Sequence, residues 1–277
     1  MGIHKNAEWL SVSIRDLQIF LCVGLYPDIS NIPDSYKKSQ EPLLDFCKDV
    51  VRATESVAVA YKINVAFFER WGSQGYRQLE ELVRFLPQNS FVIADAKRAD
   101  IGNTSSQYAA YYFDRLNVDA VTLHPYMGLD SLEPFLQYKN KWSVILALTS
   151  NPGSADLEMQ NMMDGSFLFE KVLSLFGRTE YTDQIMFVVG ATQAAQMSRI
   201  RQNVPDHFLL IPGIGEQGGD LKATIGSLRN NHEGMLINVS RGISYPNGVN
   251  TNFESIVEAA STYSEAMKRF FTNELSG

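Results

Sequence analysis

Short apolar runs recur along the chain, separated by longer segments in which apolar positions have helical spacing. Eight runs have the length and the β-branched or aromatic content of buried strands. They lie at 19–25, 57–63, 91–97, 119–124, 143–149, 185–190, 208–213 and 234–240. Between the second and third runs, apolar residues at 79, 82, 83 and 86 share one helical face, and Pro87, which lacks an amide hydrogen, ends that helix. This alternation predicts an α/β fold, a single-domain (β/α)8 TIM barrel over residues 1–277.

Composition supports one large domain and limits the possible partners. The chain has 277 residues, 45% of them hydrophobic, and a barrel of this kind needs about 250 residues. A net charge of −7 leaves no general basic surface, so we expect no nucleic-acid partner. The apolar runs are far shorter than the roughly 20 residues that span a membrane, so we expect no membrane partner either. Cys22 and Cys47 lie in apolar stretches and are expected to be buried and reduced, which is typical of a cytoplasmic protein.

The segment ADAKRADIGNT concentrates charge at the end of the third predicted strand. Side chains alternate along a strand, so Asp95 and Lys97 share one face, and Asp100 follows in the loop. A solvated turn would explain these charges in an arbitrary sequence. Here they follow the apolar run FVIA, and charges at the end of a buried strand must be paired or functional. The apolar run therefore weakens the interpretation as a solvated turn and leaves two others, a structural ion pair or a functional site.

The second predicted strand offers a further cation at the same depth. Lys62 and Asn64 share a face there, and Lys62 can complete an alternating network of charges with the third strand. A lysine that extends from a strand end to solvent is the alternative. The presence of Asp95 and Lys97 favours the network.

Loops after the seventh and eighth strands indicate a phosphate site, which is where barrels usually place one. PGIGEQGGD allows close backbone approach, and SRGI supplies Arg241, whose guanidinium can bind phosphate with two hydrogen bonds. Plain turns are the alternative for each loop, but two such loops on adjacent strands favour phosphate. Thr149 and Ser150, at the end of the fifth strand, offer hydroxyl and backbone groups that could either bind a ligand or form a capping turn.

Together these segments resemble the orotidine 5'-phosphate decarboxylase family. The similarity covers nearly the whole chain and depends most on KINVAFFE and DAKRADIGNT, because related sugar-phosphate barrels share the shorter DxKxxD string. The resemblance implies conversion of orotidine 5'-monophosphate to uridine 5'-monophosphate and CO2, the last step of de novo UMP synthesis, with no metal and no cofactor. It also implies a homodimer with shared active sites.

The resemblance assigns roles to individual residues. The implied catalytic set is Lys62, Asp95, Lys97 and Asp100, with Asp100 donated by the neighbouring subunit. Lys97 would stabilise the carbanion left at C6 of the pyrimidine and then protonate it. The residues predicted to bind substrate are Asp28, Asn64, Thr104, Thr149, Ser150, Gln217 and Arg241.

The first strand departs from the family pattern. CVGLYPD places Tyr26 where the family has an aspartate that reaches a ribose hydroxyl, and Asp28 is the carboxylate that could substitute for it. The four histidines show no metal-ligand spacing, and His124, beside a proline, is left without a role.

Two other functions remain open at this stage. A metal-dependent sugar-phosphate decarboxylase or aldolase of the same barrel group would need further carboxylates, whereas the second strand offers Lys62, and Glu69 lies beyond it in a predicted loop. The substitution at Tyr26 also raises the possibility of a nucleotide-binding pseudoenzyme that binds uridine monophosphate without turnover.

Overall fold

Eight parallel strands form a closed barrel in which each strand pairs with its neighbours in sequence and β8 pairs with β1. The structure is a computed structural model that describes residues 4–214 and 219–272. The strands are β1 (Leu21–Leu25), β2 (Ala60–Asn64), β3 (Phe91–Arg98), β4 (Ala120–Leu123), β5 (Trp142–Leu148), β6 (Ile185–Val189), β7 (Phe208–Pro212) and β8 (Met235–Val239). The predicted barrel is confirmed, and its strands read as unbroken apolar runs because both faces of a parallel barrel are buried.

Helices cover the outside of the barrel and connect its strands. The α-helices are α1 (Ala7–Leu17), α2 (Asp34–Lys37), α3 (Pro42–Thr54), α4 (Ala66–Glu69), α5 (Gly72–Phe85), α6 (Gly102–Ala110), α7 (Glu133–Leu136), α8 (Leu168–Phe176), α9 (Met197–Asn203), α10 (Leu221–Leu228), α11 (Arg241–Ser244) and α12 (Phe253–Thr272). A π-helical turn, Tyr111–Arg115, extends α6. Among the described residues, no helix combines the length and the apolar character needed to cross a membrane.

The helix predicted before Pro87 is α5, which buries Leu79 and Leu82 against the barrel. It stops at Phe85, and Leu86 has an extended backbone with ψ of 144°. The ring of a following proline excludes helical geometry from the preceding residue, which explains this end. Glu69, which we expected in a loop, is instead the last residue of α4.

The pairing of β3 with β4 is irregular at the end that carries the charged segment. The register shifts between Ala94 and Arg98, as at a β-bulge. Within this stretch Lys97 has a φ of 49°, in the left-handed region. Bulges redirect side chains and are frequent beside active sites, so this irregularity bears directly on where the Lys97 ammonium lies.

Both cysteines are free and buried, as predicted. Burial raises the pKa of the Cys22 thiol to about 12 and also raises that of Cys47. Each therefore behaves as a small apolar side chain, and the Sγ of Cys22 lies 3.8 Å from Asn238 Oδ1.

Candidate active site

A buried carboxylate between two ammonium groups lies at the carboxyl end of β2 and β3. Lys62 Nζ is 2.6 Å from Asp95 Oδ2, and Lys97 Nζ is 2.5 Å from Asp95 Oδ1. Asp95 is only 8% exposed, whereas the side chain of Lys97 is 51% exposed. The structure thus brings together three of the four predicted catalytic residues and leaves Lys97 accessible to a ligand.

The charge of Asp95 is stabilised by its partners. Burial alone would raise the pKa of this carboxyl group, but the ammonium groups of Lys62 and Lys97 outweigh it, so the pKa lies well below its usual range. Asp95 is consequently ionised at neutral pH. A buried ion pair of this kind is expensive to assemble, and charged groups with perturbed pKa values cluster at functional sites.

Thr122, on β4, completes this network, although its sequence context did not predict it as a site residue. Its hydroxyl oxygen accepts hydrogen bonds from the backbone N–H groups of Ala96 and Lys97, both at 2.9 Å. The hydroxyl proton must therefore point elsewhere, and it is donated to Asp95 Oδ1 at 3.0 Å. The one available signal was a hydroxyl within the apolar run of β4, since buried polar groups need partners.

Asp100 and Thr104 lie outside this network. Among the described residues Asp100 pairs with neither lysine, and its Oδ1 accepts a hydrogen bond from the backbone N–H of Ile101 at 2.8 Å. Thr104 is exposed on α6, and the apolar side chain of Ile101 is 61% exposed. Within one chain, the fourth predicted catalytic residue is not brought to Lys97.

The segment with the predicted substrate ligands Thr149 and Ser150 follows β5. Glu158 accepts hydrogen bonds from the Thr149 N–H at 2.6 Å and from its hydroxyl at 3.0 Å, which shapes the loop. Ser150 packs against Gly190, after β6, where a Cβ would lie 2.7 Å from the Ser150 Cα. Only glycine allows this close approach, so β6 helps to fix the position of Ser150.

A cavity of about 260 Å³ lies over the ends of β1, β2, β7 and β8. Its walls include Asn64, Gly213, Ser240 and Arg241, the last at the start of α11. Gly213 has a φ of 99°, a conformation that disfavours any residue with a Cβ. Two predicted ligands, Asn64 at the end of β2 and Arg241 after β8, thus share one cavity, while Gln217 lies outside the described residues.

Tyr26 also lines this cavity, and its ring lies 5.1 Å from that of Phe67 and 5.5 Å from that of Tyr245. Asp28 instead accepts three hydrogen bonds within its own turn, from the N–H and hydroxyl of Ser30 and from the Asn31 amide. These bonds, those from Ser30 above all, lower the pKa of Asp28. Tyr26, at the position of the family's aspartate, therefore faces the cavity. The carboxylate of Asp28, two residues later, is hydrogen-bonded within its own turn.

His124 follows β4 directly and lines an apolar cavity that Lys97 also lines. Its backbone N–H bonds the Arg98 carbonyl, and no catalytic role follows from this contact. Over residues 4–214 and 219–272, no three His, Cys, Asp or Glu side chains are grouped as metal ligands would be.

Comparison with known proteins places the chain in a family. A family model described as orotidine 5'-phosphate decarboxylase / HUMPS family matches residues 21–253. The chain belongs to this family. An orotidine 5'-phosphate decarboxylase of Bacteroides fragilis is 45% identical over 258 residues, which cover 92% of this chain and 94% of that protein. The decarboxylase of Parabacteroides distasonis is 46% identical over 243 residues, with 87% of each chain covered.

Solved structures of the family agree with the barrel. The orotidine monophosphate decarboxylase of Leishmania donovani superposes with a TM-score of 0.82 at 34% identity, covering 96% of this chain and 99% of that one. The UMP synthase of the same organism gives a TM-score of 0.83 at 36% identity and 94% coverage of this chain. The chain spans only 55% of the length of that UMP synthase.

Proposed function

We propose that this chain is a carboxy-lyase that decarboxylates orotidine 5'-monophosphate to uridine 5'-monophosphate, without a metal or a cofactor. The observation that carries the proposal is the Lys62–Asp95–Lys97 network, in which a buried, ionised carboxylate holds a half-exposed ammonium at the mouth of the barrel. Family membership supplies the substrate, since the relatives described above are named for this reaction.

The reaction demands stabilisation of a carbanion. The bond between C6 and the carboxylate breaks, CO2 leaves, and the electron pair stays on C6 in an sp2 orbital with no adjacent electron sink. An ammonium fixed close to C6 stabilises this charge without reorganisation, which is the most effective form of electrostatic catalysis. The Nζ of Lys97 then gives a proton to C6 and regains one from solvent, to which it is accessible.

The other charges keep that ammonium in place. Asp95 binds Lys97 through one oxygen and Lys62 through the other, so Lys97 cannot turn away without leaving a buried carboxylate short of a partner. The negative charge of Asp95 also disfavours the substrate's own carboxylate and favours its loss. We assign the larger share of catalysis to the preorganised lysine, since ground-state repulsion is the less secure contribution.

The cavity beside the network suits the nucleotide. We assign the phosphate to Arg241, which lines the cavity, and to the predicted ligand Gln217. Asn64, also in the cavity wall, and Asp28 are assigned to the ribose, and Thr149 and Ser150, after β5, to the pyrimidine edge. Guanidinium, backbone N–H groups and glycines at two adjacent loops form a typical phosphate site of a barrel.

We also propose a homodimer in which Asp100 and Thr104 of one chain complete the site of the other. Two observations support this: Asp100 does not reach the lysines of its own chain, and the neighbouring Ile101 leaves an apolar side chain exposed. A two-fold interface there would bury that side chain and supply each site with a second carboxylate. Residues 1–277 are proposed to form one domain. The two free, buried cysteines support a cytoplasmic location.

Turnover tests the proposal directly. Purified protein is mixed with orotidine monophosphate, and the loss of its ultraviolet absorbance is followed with and without a chelator. Turnover that survives chelation supports the proposal, while turnover that needs Mg²⁺ would favour a metal-dependent member of the barrel group. Binding of uridine monophosphate without turnover would identify a pseudoenzyme, the function suggested by Tyr26 at the position of the family's aspartate.

A further inference from the structure

The backbone of Lys97 has a conformation that needs support from its surroundings. Its φ of 49° lies in the left-handed region, which a residue with a Cβ adopts only when neighbouring contacts hold it there. The conformation sets the direction of the Lys97 side chain within the bulge of β3. Whatever holds the bulge therefore also determines where the ammonium lies.

One support comes from the neighbouring strand. Thr122 accepts hydrogen bonds from two successive N–H groups of the bulge, those of Ala96 and Lys97. These bonds hold the N–H groups of Ala96 and Lys97 in place, and the hydroxyl of Thr122 connects them to Asp95. The carbonyl of Ala96 points away from Thr122 and needs a different donor.

Arg98 supplies that donor. Its Nη1 bonds the Ala96 carbonyl oxygen at 2.8 Å, so the side chain of Arg98 holds the peptide that precedes Lys97. Its Nη2 forms an ion pair with Glu69 Oε1, at the end of α4. The guanidinium also lies over the rings of Tyr108 and Tyr112, 5.3 and 5.9 Å from their centroids.

Glu69 is itself held in place. Tyr76 donates its hydroxyl proton to Glu69 Oε1 at 2.9 Å, which connects the ion pair to α5. The chain of contacts thus runs from helices α4 and α5 through Glu69 and Arg98 to the bulge. A planar guanidinium that bonds a carbonyl with one nitrogen and a carboxylate with another has little freedom to move.

We propose that Arg98 and Glu69 are positioning residues for the decarboxylation, acting through the backbone of Lys97. The proposal rests on the catalytic role proposed for Lys97. Neither residue touches the ammonium or the ligand cavity, so their effect is on the direction of the Lys97 side chain. Stabilisation of the C6 carbanion by the ammonium depends on that direction, whereas the binding of phosphate and ribose does not.

The test compares two variants with matched controls. Arg98→Lys keeps the charge but loses the planar group that bonds both Ala96 and Glu69, and Glu69→Gln keeps the shape but replaces the ion pair by a neutral hydrogen bond. Arg115 and Glu80 form a similar surface pair, at 3.1 Å, that has no contact with the bulge. Arg115→Lys and Glu80→Gln therefore control for the loss of an arginine–glutamate pair as such.

The measurements are kcat, the affinity for uridine monophosphate, and the affinity for a uridine monophosphate analogue with an oxyanion at C6. We expect kcat and the affinity for the oxyanion analogue to fall about tenfold to a hundredfold in both variants, as small misplacements of a reacting group do. Affinity for uridine monophosphate should stay within about twofold, and the controls should match the wild type. A loss of kcat and of affinity for the oxyanion analogue, with affinity for uridine monophosphate retained, shows that the variants lose transition-state stabilisation.

Other outcomes would overturn the proposal. An unchanged kcat in both variants would show that Thr122 alone holds the bulge, and a parallel loss of both affinities would indicate general structural damage. If Arg98→Lys unfolds below the assay temperature, Glu69→Gln still decides, together with rescue of Arg98→Ala by millimolar guanidinium. If Lys97→Ala retains full activity, the catalytic role proposed for Lys97 is wrong. If Lys97→Ala is inactive but Arg98→Lys and Glu69→Gln retain full activity, only the positioning role is wrong.

Discussion

Replacing Lys97 by alanine is the sharpest test of the proposed mechanism, because the structure predicts that it removes catalysis without removing the fold. The side chain is half exposed, so its truncation leaves no cavity in the core. Asp95 keeps its contact with Lys62 at 2.6 Å and its hydrogen bond from Thr122. The buried carboxylate therefore still has a counter-charge and a donor after the change.

The expected loss can be estimated from what Lys97 supplies. General acid catalysis contributes about 10²–10⁴ in rate, and a preorganised group that stabilises developing charge contributes about 10²–10³. Together these predict a fall in kcat of roughly 10⁴–10⁷, equivalent to about 5–10 kcal/mol of barrier at about 1.4 kcal/mol per tenfold. Affinity for uridine monophosphate should change little, because its phosphate and ribose meet other residues.

Loss of the ultraviolet absorbance of orotidine monophosphate measures kcat, and calorimetric titration measures the affinity for uridine monophosphate. Lys139→Ala, which removes an exposed lysine distant in sequence from the charged segment, is the control and should behave as the wild type. A Lys97→Ala protein that turns over within tenfold of the wild type would refute the role of this ammonium. Unfolding curves for both variants show whether the loss reflects stability.

Three further outcomes are expected. Inactive Lys97→Ala and Asp100→Ala chains should regain activity on mixing, since one composite site of the heterodimer holds both native groups; no rescue from demonstrated heterodimers would place each site within one chain. Tyr26→Asp should raise kcat/KM by about tenfold to a hundredfold if a charge-assisted hydrogen bond of about 1.5–3 kcal/mol to the ribose is regained; an unchanged or lower value would identify Asp28 as the ribose ligand. Because the pKa of Asp95 is lowered in the folded state, its stabilisation is present above about pH 4, the unfolded value, and is lost as pH falls toward the folded pKa. Asp95→Asn should lower the free energy of unfolding at pH 7 by about 3–5 kcal/mol, and its stability in urea should depend less on pH below about 4. A variant with the stability and the acid dependence of the wild type would contradict this.

The sequence by itself determined the barrel and the central residues of the candidate site, Lys62, Asp95 and Lys97. Eight apolar runs separated by helical segments predict parallel strands, because burial on both faces gives each strand an unbroken apolar pattern, and their number matches a closed barrel. Asp95 and Lys97 could be placed together because two residues on one strand share a face whatever the rest of the chain does. Their contact with Lys62 followed from the expectation that consecutive strands are neighbours.

Only the tertiary structure decided the contacts that depend on register and on side-chain direction. Thr122 stands in an ordinary apolar run, and its bonds to Asp95 and to the bulge exist because β3 and β4 shift register at that point. The pairing of Arg98 with Glu69 joins residues 29 positions apart, through a short helix that we expected to be a loop. Such contacts have no local signature, since a bulge and a helix end are selected by the packing around them and not by the residues that form them alone.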